Sequence, residues 1–366
     1  MDRLGVGAAI VDGDVVAGDV EVVDGRVAQV GLAPAGTGLA VPGFVEVHTN
    51  GIAGVDFATA TADGYRRAAA ELAATGVLAY QAAVVSAPVE AMCASLAVVR
   101  EAMAERAPGA RLLGAHLEGP FLSPARAGAH RPRAIVAPDL GVLERLLAAG
   151  PVTMVTLAPE EPGATGVIER LVELGIVVSA GHSDADGPAA DAAFDLGVSA
   201  VTHLFNAMAP ISARRPGLAA TALTRPDVFV QLIVDGVHLA DAMVMTAWRT
   251  AGERCVLVTD ATAAATLADG PHDLGGRTVH LADGAVRLDD GTLAGSCLTM
   301  DAAIRNAVDL GIPLVDAINA ATRAPAALLR RPDLGCLRPG GSADLVVLDD
   351  DLTIQRVLAG GAVLER

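Results

Sequence analysis

Six apolar stretches of this chain each end in, or lead into, a histidine or an acidic residue. GFVEVH, LLGAHLE, IVVSAGH, VSAVTH, FVQLIVDGV and CVLVTD supply, in chain order, His48, Glu118, His182, His203, His238 and Asp260. Buried strands of a closed parallel barrel present their carboxyl ends at one rim, and such barrels carry their catalytic residues there. The pattern therefore predicts a metal-centred active site at the rim of an α/β barrel.

Apolar β-type runs alternate with helical runs through the middle of the chain, which is typical of a parallel sheet. The 366 residues are enough for one TIM-type (β/α)8 barrel and a small accessory domain. We predict barrel strands near residues 43–48, 77–84, 111–118, 152–157, 175–181, 198–203, 228–234 and 255–260. We predict helices near residues 63–75, 88–106, 138–149, 164–174, 187–196, 239–253, 299–311 and 314–330. An open doubly wound sheet is the alternative, but no GxGxxG opens the first helix.

Both ends of the chain have β-type patterns with no helix between their strands. The Asp-Gly pairs at 12–13 and 24–25 are strong hairpin signals. We therefore predict a small β-sandwich domain built from residues 1–41 and 336–366, with the barrel at 42–335. A third β-rich piece near 273–295 either joins this domain or forms a hairpin over the barrel.

Charge and cysteine usage limit the partners and the compartment. The formal net charge of −17 disfavours nucleic acid or an anionic membrane as a partner. The four cysteines lie far apart without a CxxC pair, which fits a reducing cytoplasm. The N-terminal MDRLGVGAAI lacks the organisation of a signal peptide, so we expect a soluble cytoplasmic protein.

Glu118, His182 and His203 have the residue types of a catalytic zinc site. Adjacent strand ends in a parallel barrel lie only about 5 Å apart, so the two imidazoles can share one ion. Two histidines and one carboxylate leave a fourth position open for water or substrate, as in catalytic zinc sites. Taken singly, each residue has a plainer interpretation as a core histidine or a solvated loop glutamate.

Asp260 follows the last predicted strand in VTDAT. It is either an N-cap of the following segment or a catalytic base, and its place at the rim favours the base. Zinc lowers the pKa of a water toward neutrality, so a nearby carboxylate can accept a proton and later return it.

Basic residues cluster on two loops that flank the predicted rim. One cluster contains Arg126, His130, Arg131 and Arg133, and the other contains Arg214 and Arg215. In so acidic a protein, two such clusters indicate an anionic substrate, with ordinary solvated loops as the alternative.

These motifs together resemble the amidohydrolase superfamily and, within it, closely resemble the family of N-acetylglucosamine-6-phosphate deacetylases. The similarity extends nearly end to end through PGFVEVHTNG, HLEGPFLSP, SAGHSDA, THLFNAMAP, RRPGL, DGVHL, VTDAT and LAGSCLTM. HLEGPF and HLFNAM in one chain are a specific combination. The resemblance implies removal of acetate from a 6-phosphorylated N-acetyl sugar, a step of amino-sugar recycling.

Carried over by position, the resemblance implies roles for individual residues. Metal ligation falls to Glu118, His182 and His203, and acid/base catalysis to Asp260. Substrate contacts fall to His130 at the sugar, His238 at the N-acetyl group or sugar hydroxyls, Asn206 and Ala207 at the phosphate, and Arg214. In relatives, the arginine that Arg214 resembles reaches the phosphate from the neighbouring subunit, which implies a homodimer.

One motif departs from the superfamily pattern. Many members have His-x-His after the first strand as ligands of a second metal, whereas this chain has His48-Thr49-Asn50. We therefore expect a single Zn²⁺. His48 remains open as a weaker second site, a donor behind the ligands or a substrate contact.

Three rival functions remain at this point. The first is the same reaction on N-acetylgalactosamine 6-phosphate. The second is cyclic-amide hydrolysis, but that class generally bridges its metals with a lysine, and the chain contains no lysine. The third is a barrel that has lost catalysis and serves as a scaffold.

Overall fold

The computed structural model describes residues 2–105 and 107–364. Eight parallel strands form one sheet in which each strand pairs with the next along the chain. Their bounds are Phe44–Thr49, Val77–Val85, Arg111–Glu118, Val152–Leu157, Val177–Ala180, Ala200–Val201, Phe229–Leu232 and Cys255–Leu257. The predicted (β/α)8 barrel is confirmed.

The first and last barrel strands meet through hydrogen bonds near their carboxyl ends. The N–H of Asp260 donates to the carbonyl of His48 at 2.9 Å. The fully buried carboxylate of Glu46 accepts the N–H of His48 at 2.8 Å and that of Thr259 at 2.9 Å. These bonds hold His48 and Asp260 side by side at the rim.

Helices connect the strands and pack around the barrel. Their bounds are Ala62–Ala74, Val89–Glu105, Leu140–Ala149, Ala164–Glu173, Gly187–Asp195, Gly217–Thr224, Asp241–Ala251, Met300–Asp309, Leu314–Ala321 and Arg323–Leu328. Several begin where the sequence supplies a cap: Thr61, Asp139 and Asp186 each accept the N–H of the residue three positions on. No helix among residues 2–105 and 107–364 is long and apolar enough to cross a membrane.

The helices of the structure differ from the predicted set in two places. Gly217–Thr224 was not predicted, because GLAATALT carries no charge and most of its residues are buried, which leaves no amphipathic pattern. The predicted helix at 314–330 is two helices, because Thr322 leaves the helical region with φ −132° and ψ −76°. Residue 106 of the predicted helix 88–106 lies outside the described residues.

Both ends of the chain build two sheets beside the barrel. The six-stranded sheet contains Ala8–Val11, Asp14–Ala17, Leu39–Pro42, Leu345–Leu348, Ile354–Ala359 and Ala362–Val363, and the three-stranded sheet contains Asp2–Arg3, Asp19–Val23 and Arg26–Leu32. Buried side chains of both sheets, including Ala9, Val20 and Leu345, form one core. The predicted β-domain is present, whereas its boundaries at 41/42 and 335/336 stay predictions. Residues 1 and 365–366 lie outside the described residues.

A separate antiparallel sheet, here called the insert sheet, spans Gly270–Leu274, Arg277–Ala282, Ala285–Arg287 and Leu293–Ser296. Its first hairpin turns through Gly275 and Gly276, at φ +56° and +72°. Two positive φ values define the type I′ turn that glycine favours between antiparallel strands. The β-rich piece near 273–295 therefore forms its own sheet, and its residues help to line a cavity at the barrel rim.

Candidate active site

Three donor atoms converge at the barrel rim. Glu118 Oε1 lies 3.1 Å from His182 Nε2 and 3.2 Å from His203 Nε2, and the two nitrogens are 3.1 Å apart. All three residues are buried. Zinc bonds of about 2.0–2.1 Å in a tetrahedron put ligand atoms roughly 3.3 Å apart, so the triangle has the dimensions of one face of such a site.

The hydrogen bonding of His182 favours a cation inside this triangle. Its Nδ1 lies 2.9 Å from the carbonyl of Arg126, which can only accept, so Nδ1 carries the proton. In the neutral ring, Nε2 then presents a lone pair toward the Glu118 carboxylate. Two acceptors at this separation repel each other unless a cation lies between them, so these residues fit a metal ion.

The backbone at these ligands is held in an unusual conformation. His182 has φ +46° and His203 has φ +30°. A β-carbon on the preceding Gly181 would lie 2.8 Å from a side-chain carbon of Thr156, so only glycine fits there. Left-handed backbone at non-glycine residues is uncommon and clusters at functional sites, which agrees with a binding role for both histidines.

His130 lies near the other oxygen of the same carboxylate. Its Nε2 lies 3.7 Å from Glu118 Oε2, and Glu118, His130 and His182 each offer a ligand atom within 4.8 Å of the other two. Burial lowers the pKa of His130. Its buried Nδ1 has no hydrogen-bond partner among the described residues.

His48 and Asp260 form a further group of polar side chains beside Glu118. His48 Nε2 is 3.4 Å from Asp260 Oδ1 and 3.5 Å from Glu118 Oε2. Asn50 donates from Nδ2 to the same Asp260 oxygen at 2.6 Å. Asn50 is the residue that stands where many superfamily members have the second histidine of His-x-His, and here it fixes the aspartate.

Charge pairing determines the protonation of this group. Burial opposes ionisation of Glu118, but the charge of His48 holds its pKa well below the ordinary value. Burial likewise opposes protonation of His48, yet the Glu118 and Asp260 carboxylates raise its pKa to about 9. Burial lowers the pKa of His203, which keeps that ring neutral as a metal ligand requires.

His238 is oriented by Asp235, which precedes it by three residues. Asp235 Oδ2 lies 2.7 Å from His238 Nδ1, and Asp235 Oδ1 accepts the backbone N–H groups of Val237 and His238 at 2.8 Å. Burial opposes protonation of His238, but the pairing with Asp235 raises its pKa above the ordinary value. His238 therefore directs Nε2 away from Asp235 and is biased toward its protonated form.

These groups surround a cavity of about 500 Å³. Its lining includes the sequence-predicted residues Glu118, His130, His182, His203, Asn206, Ala207, His238 and Asp260. Arg214 is absent from that lining and lies exposed on the loop before the helix Gly217–Thr224. His48 lies fully buried behind the cavity. The structure thus brings together all the predicted site residues except Arg214 within one chain.

Several residues of this site were not predicted. Glu46 joins the first and last strands, Asn50 and Asp235 hold Asp260 and His238, and His116 bonds the carbonyl of Val47 beneath the site. Glu46 had one visible signal, because a carboxylate inside the apolar run GFVEVH needs buried partners. Asp235 had another, because DGVH places an aspartate three residues before a predicted site histidine.

A parallel barrel with two histidines and a carboxylate converging at its rim is the architecture of a metal-dependent hydrolase. Residues 39–364 match the amidohydrolase family, which is metal-dependent, and the chain belongs to it.

Within that family its relatives are sugar-phosphate deacetylases. It is 36% identical to N-acetylgalactosamine-6-phosphate deacetylase of Escherichia coli O157:H7, over 88% of this chain and 87% of the relative. It is 32% identical to N-acetylglucosamine-6-phosphate deacetylase of Lysinibacillus sphaericus, over 94% and 92%. A solved N-acetyl-D-glucosamine-6-phosphate deacetylase mutant from Mycobacterium smegmatis, in complex with that sugar phosphate, superposes with a TM-score of 0.94 at 36% identity, covering 100% of this chain and 99% of that one.

Proposed function

We propose that this enzyme hydrolyses the N-acetyl amide of N-acetyl-D-glucosamine 6-phosphate, giving D-glucosamine 6-phosphate and acetate. The observation that carries the proposal is the triangle of Glu118, His182 and His203 donor atoms beside Asp260, in a cavity of about 500 Å³. Relatives and solved structures of similar length bear this activity in their names.

We assign one Zn²⁺ to Glu118, His182 and His203. When bound, zinc would supply Lewis acidity that activates a water and polarises the acetyl carbonyl. His130 Nε2 is 3.7 Å from Glu118 Oε2, farther than the His182 and His203 nitrogens are from Oε1, so we assign His130 to the sugar. His48 is close enough to Glu118 and Asp260 to contribute to a weaker second site, but one ion is the proposed working state.

Asp260 is the proposed acid/base. It accepts the proton of the attacking water and then delivers it to the amide nitrogen, which leaves as the sugar amine. The hydrogen bond from Asn50 keeps one carboxylate oxygen fixed during both transfers. His238, held by Asp235, donates from Nε2 to the acetyl oxygen as negative charge develops there.

The 6-phosphate is the proposed anionic anchor. Asn206 and Ala207 line the cavity and would meet it from this chain. Arg214 is exposed and would reach it from the neighbouring subunit of a homodimer. In this proposal the complete site forms only in the dimer, and the enzyme acts on a small phosphosugar in the cytoplasm.

N-acetylgalactosamine 6-phosphate is the second candidate substrate. A relative named for that sugar is as similar as those named for the glucosamine epimer. The two sugars differ at one hydroxyl, so the same metal, acid/base and phosphate contacts would serve both.

An acetate-release assay tests the proposal. The purified holoenzyme is given both 6-phosphorylated epimers and both unphosphorylated sugars. We expect turnover of N-acetylglucosamine 6-phosphate with the highest kcat/KM, and much weaker turnover of the free sugars. If protein with stoichiometric metal releases acetate from neither phosphosugar, the proposed function is wrong and a catalytically dead scaffold explains the chain better.

A further inference from the structure

The insert sheet is hydrogen-bonded to the barrel loops at two places, and residues at both places line the cavity. Its last strand adjoins the Asp260 loop, where the N–H of Ser296 donates to the carbonyl of Asp260 at 2.8 Å. The neighbouring Gly295 has φ +71°, and a β-carbon there would lie 2.8 Å from the same carbonyl. This end of the insert sheet is therefore packed directly on the backbone of the proposed acid/base.

The other attachment is the tip of the first hairpin. Both backbone polar groups of Gly275 are hydrogen-bonded to charged side chains. Asp56 Oδ2 accepts its N–H at 2.7 Å, and Arg131 Nη2 donates to its carbonyl at 2.7 Å. Asp56 belongs to the loop after the first barrel strand, and its other oxygen accepts the N–H of Ala58 at 2.9 Å. The tip is thus bound by two charged side chains of the barrel loops.

A second arginine, on the insert sheet, donates to the barrel loop that carries His130. Arg277 follows the tip on the insert sheet, and its Nη1 donates to the carbonyl of Ala129 at 2.7 Å. Arg131 and Arg277 therefore bridge the same two segments in opposite directions. The barrel residues involved, Ala129 and Arg131, flank His130, the histidine assigned to the sugar.

The docked sheet supplies one side of the cavity. Leu274, Arg277, Leu288 and Leu293 of the insert sheet and its loops line the same cavity as the proposed metal ligands. Ala129 also packs against the apolar cluster of the insert sheet. Without the two arginine bonds, the loop that carries His130 would keep that apolar contact but lose both polar links to the sheet.

We propose that Asp56, Arg131 and Arg277 are positioning residues that dock the hairpin tip at Gly275–Gly276, thereby completing the sugar-binding wall and fixing His130. None of them touches the proposed metal ligands. The inference deepens the proposed function, because it assigns the insert sheet a role in binding the sugar phosphate. It predicts an effect on KM, with little effect on metal content or kcat.

The test uses the full-length holoenzyme carrying Arg131→Gln or Arg277→Gln. In each variant the new side chain is shorter than arginine and carries no charge. We expect each to raise KM for the 6-phosphosugar roughly tenfold, as for one lost charge-assisted hydrogen bond, with kcat changed less than about twofold. Arg277→Lys keeps a cationic donor and should recover part of the loss. His280→Gln is the matched control, because it removes the exposed ion pair between the insert sheet and Asp289 in one of its own loops.

Amide hydrogen exchange gives the second readout and needs no substrate. Peptides covering residues 270–282 should exchange faster in both arginine variants and at the wild-type rate in His280→Gln. The double variant should raise KM less than the product of the single effects, because both bonds hold one docked element.

Unchanged tip exchange in the arginine variants would overturn the docking role, even if KM rose through lost attraction for phosphate. Loss of bound metal in these variants would also contradict it. If the wild type releases no acetate from either phosphosugar, the proposed function fails, while the exchange data still decide whether the arginines dock the tip.

Discussion

The same backbone conformation occurs in the terminal β-domain and at the barrel rim, for opposite reasons. Asp12, Asp24 and Asp260 all have φ +49°. Asp12 and Asp24 precede Gly13 and Gly25 in two-residue hairpin turns, where Asp-Gly is among the sequences best suited to positive φ. In the β-domain, then, residue type follows from backbone conformation.

At the rim, residue type conflicts with backbone conformation. His182 and His203 adopt positive φ although glycine would do so more easily. Such residues cost about 1–3 kcal/mol each and persist when the surrounding structure enforces them. The comparison indicates that the rim keeps imidazoles and a carboxylate for their chemistry, whereas the β-domain turns keep aspartates for their shape.

The largest expected effect is loss of the metal. His182→Ala or His203→Ala should release the ion and abolish nearly all acetate release, because three protein ligands are the minimum for a catalytic zinc site. Elemental analysis of purified chains should give about one ion in wild type and almost none in either variant. His48→Ala should keep the ion, and His280→Ala, an exposed change in the insert sheet, should match wild type. Two tight ions, one of them lost with His48, would contradict the single-ion assignment.

Asp260→Asn gives the next largest effect and tests the comparison directly. The amide keeps the shape and tolerates positive φ, but it cannot accept the proton of water, so kcat should fall about 10²–10⁴-fold. Asp24→Asn is the matched control at the same φ, and its kcat and thermal midpoint should stay at wild-type values. Steady-state acetate release measures kcat of both variants, and thermal unfolding measures the midpoint. Turnover of Asp260→Asn within a few-fold of wild type would mean that another residue is the general base.

Arg214→Ala should raise KM for the phosphosugar by roughly tenfold or more, because guanidinium pairs with phosphate through two parallel hydrogen bonds. Activity on the unphosphorylated sugar should barely change. Arg249→Ala removes an exposed arginine elsewhere and controls for the loss of one positive charge.

Mixing the Arg214→Ala and Asp260→Asn chains locates the arginine. If Arg214 crosses a dimer interface, heterodimers recover activity, because one of their two sites keeps both groups. Heterodimers that form without recovering activity would place Arg214 in its own subunit's site, and equal losses on both sugars would make it structural.

The smallest effect concerns the Asp235–His238 pair and stability. The pKa of Asp235 is lowered from 3.8 and that of His238 is raised from 6.5. The contribution of protonated His238 to the free energy of unfolding is complete below the unfolded pKa of His238, and it disappears as pH rises through the raised folded pKa. The contribution of ionised Asp235 is complete above the unfolded pKa of Asp235, and it disappears as pH falls through the lowered folded pKa. The free energy of unfolding lost in Asp235→Asn, about 1 kcal/mol, should therefore be largest between those ordinary values. Urea unfolding across a pH series measures it, and a loss independent of pH would mean that the pair is not ionised.

Much of the barrel and its rim could be predicted from local sequence. A few consecutive residues are enough to predict both a strand and the functional residue at its end. This holds for the apolar runs that end in His48, Glu118, His182, His203 and Asp260. A closed parallel barrel then gathers those ends by topology alone. The Asp-Gly hairpins were equally visible, because turn chemistry is local.

The remaining features depend on contacts that no local pattern records. Glu46 and Asn50 act across the seam between the first and last strands, more than 200 residues apart in sequence. The insert sheet gave a clear β signal, but its docking depends on Arg131, which appeared only as a member of a basic loop cluster, and on Arg277, which no motif singled out. The helix Gly217–Thr224 was missed because burial on all sides removes the amphipathic signal.

Titration of metal-free protein with Zn²⁺, followed by acetate release from N-acetylglucosamine 6-phosphate, tests the central claim most directly. The account predicts that activity rises linearly and reaches its plateau at one equivalent of zinc per chain, and that His48→Ala reaches its plateau at the same equivalent. A wild-type plateau at two equivalents, or no acetate release at any zinc content, would contradict a single-metal deacetylase centred on Glu118, His182 and His203.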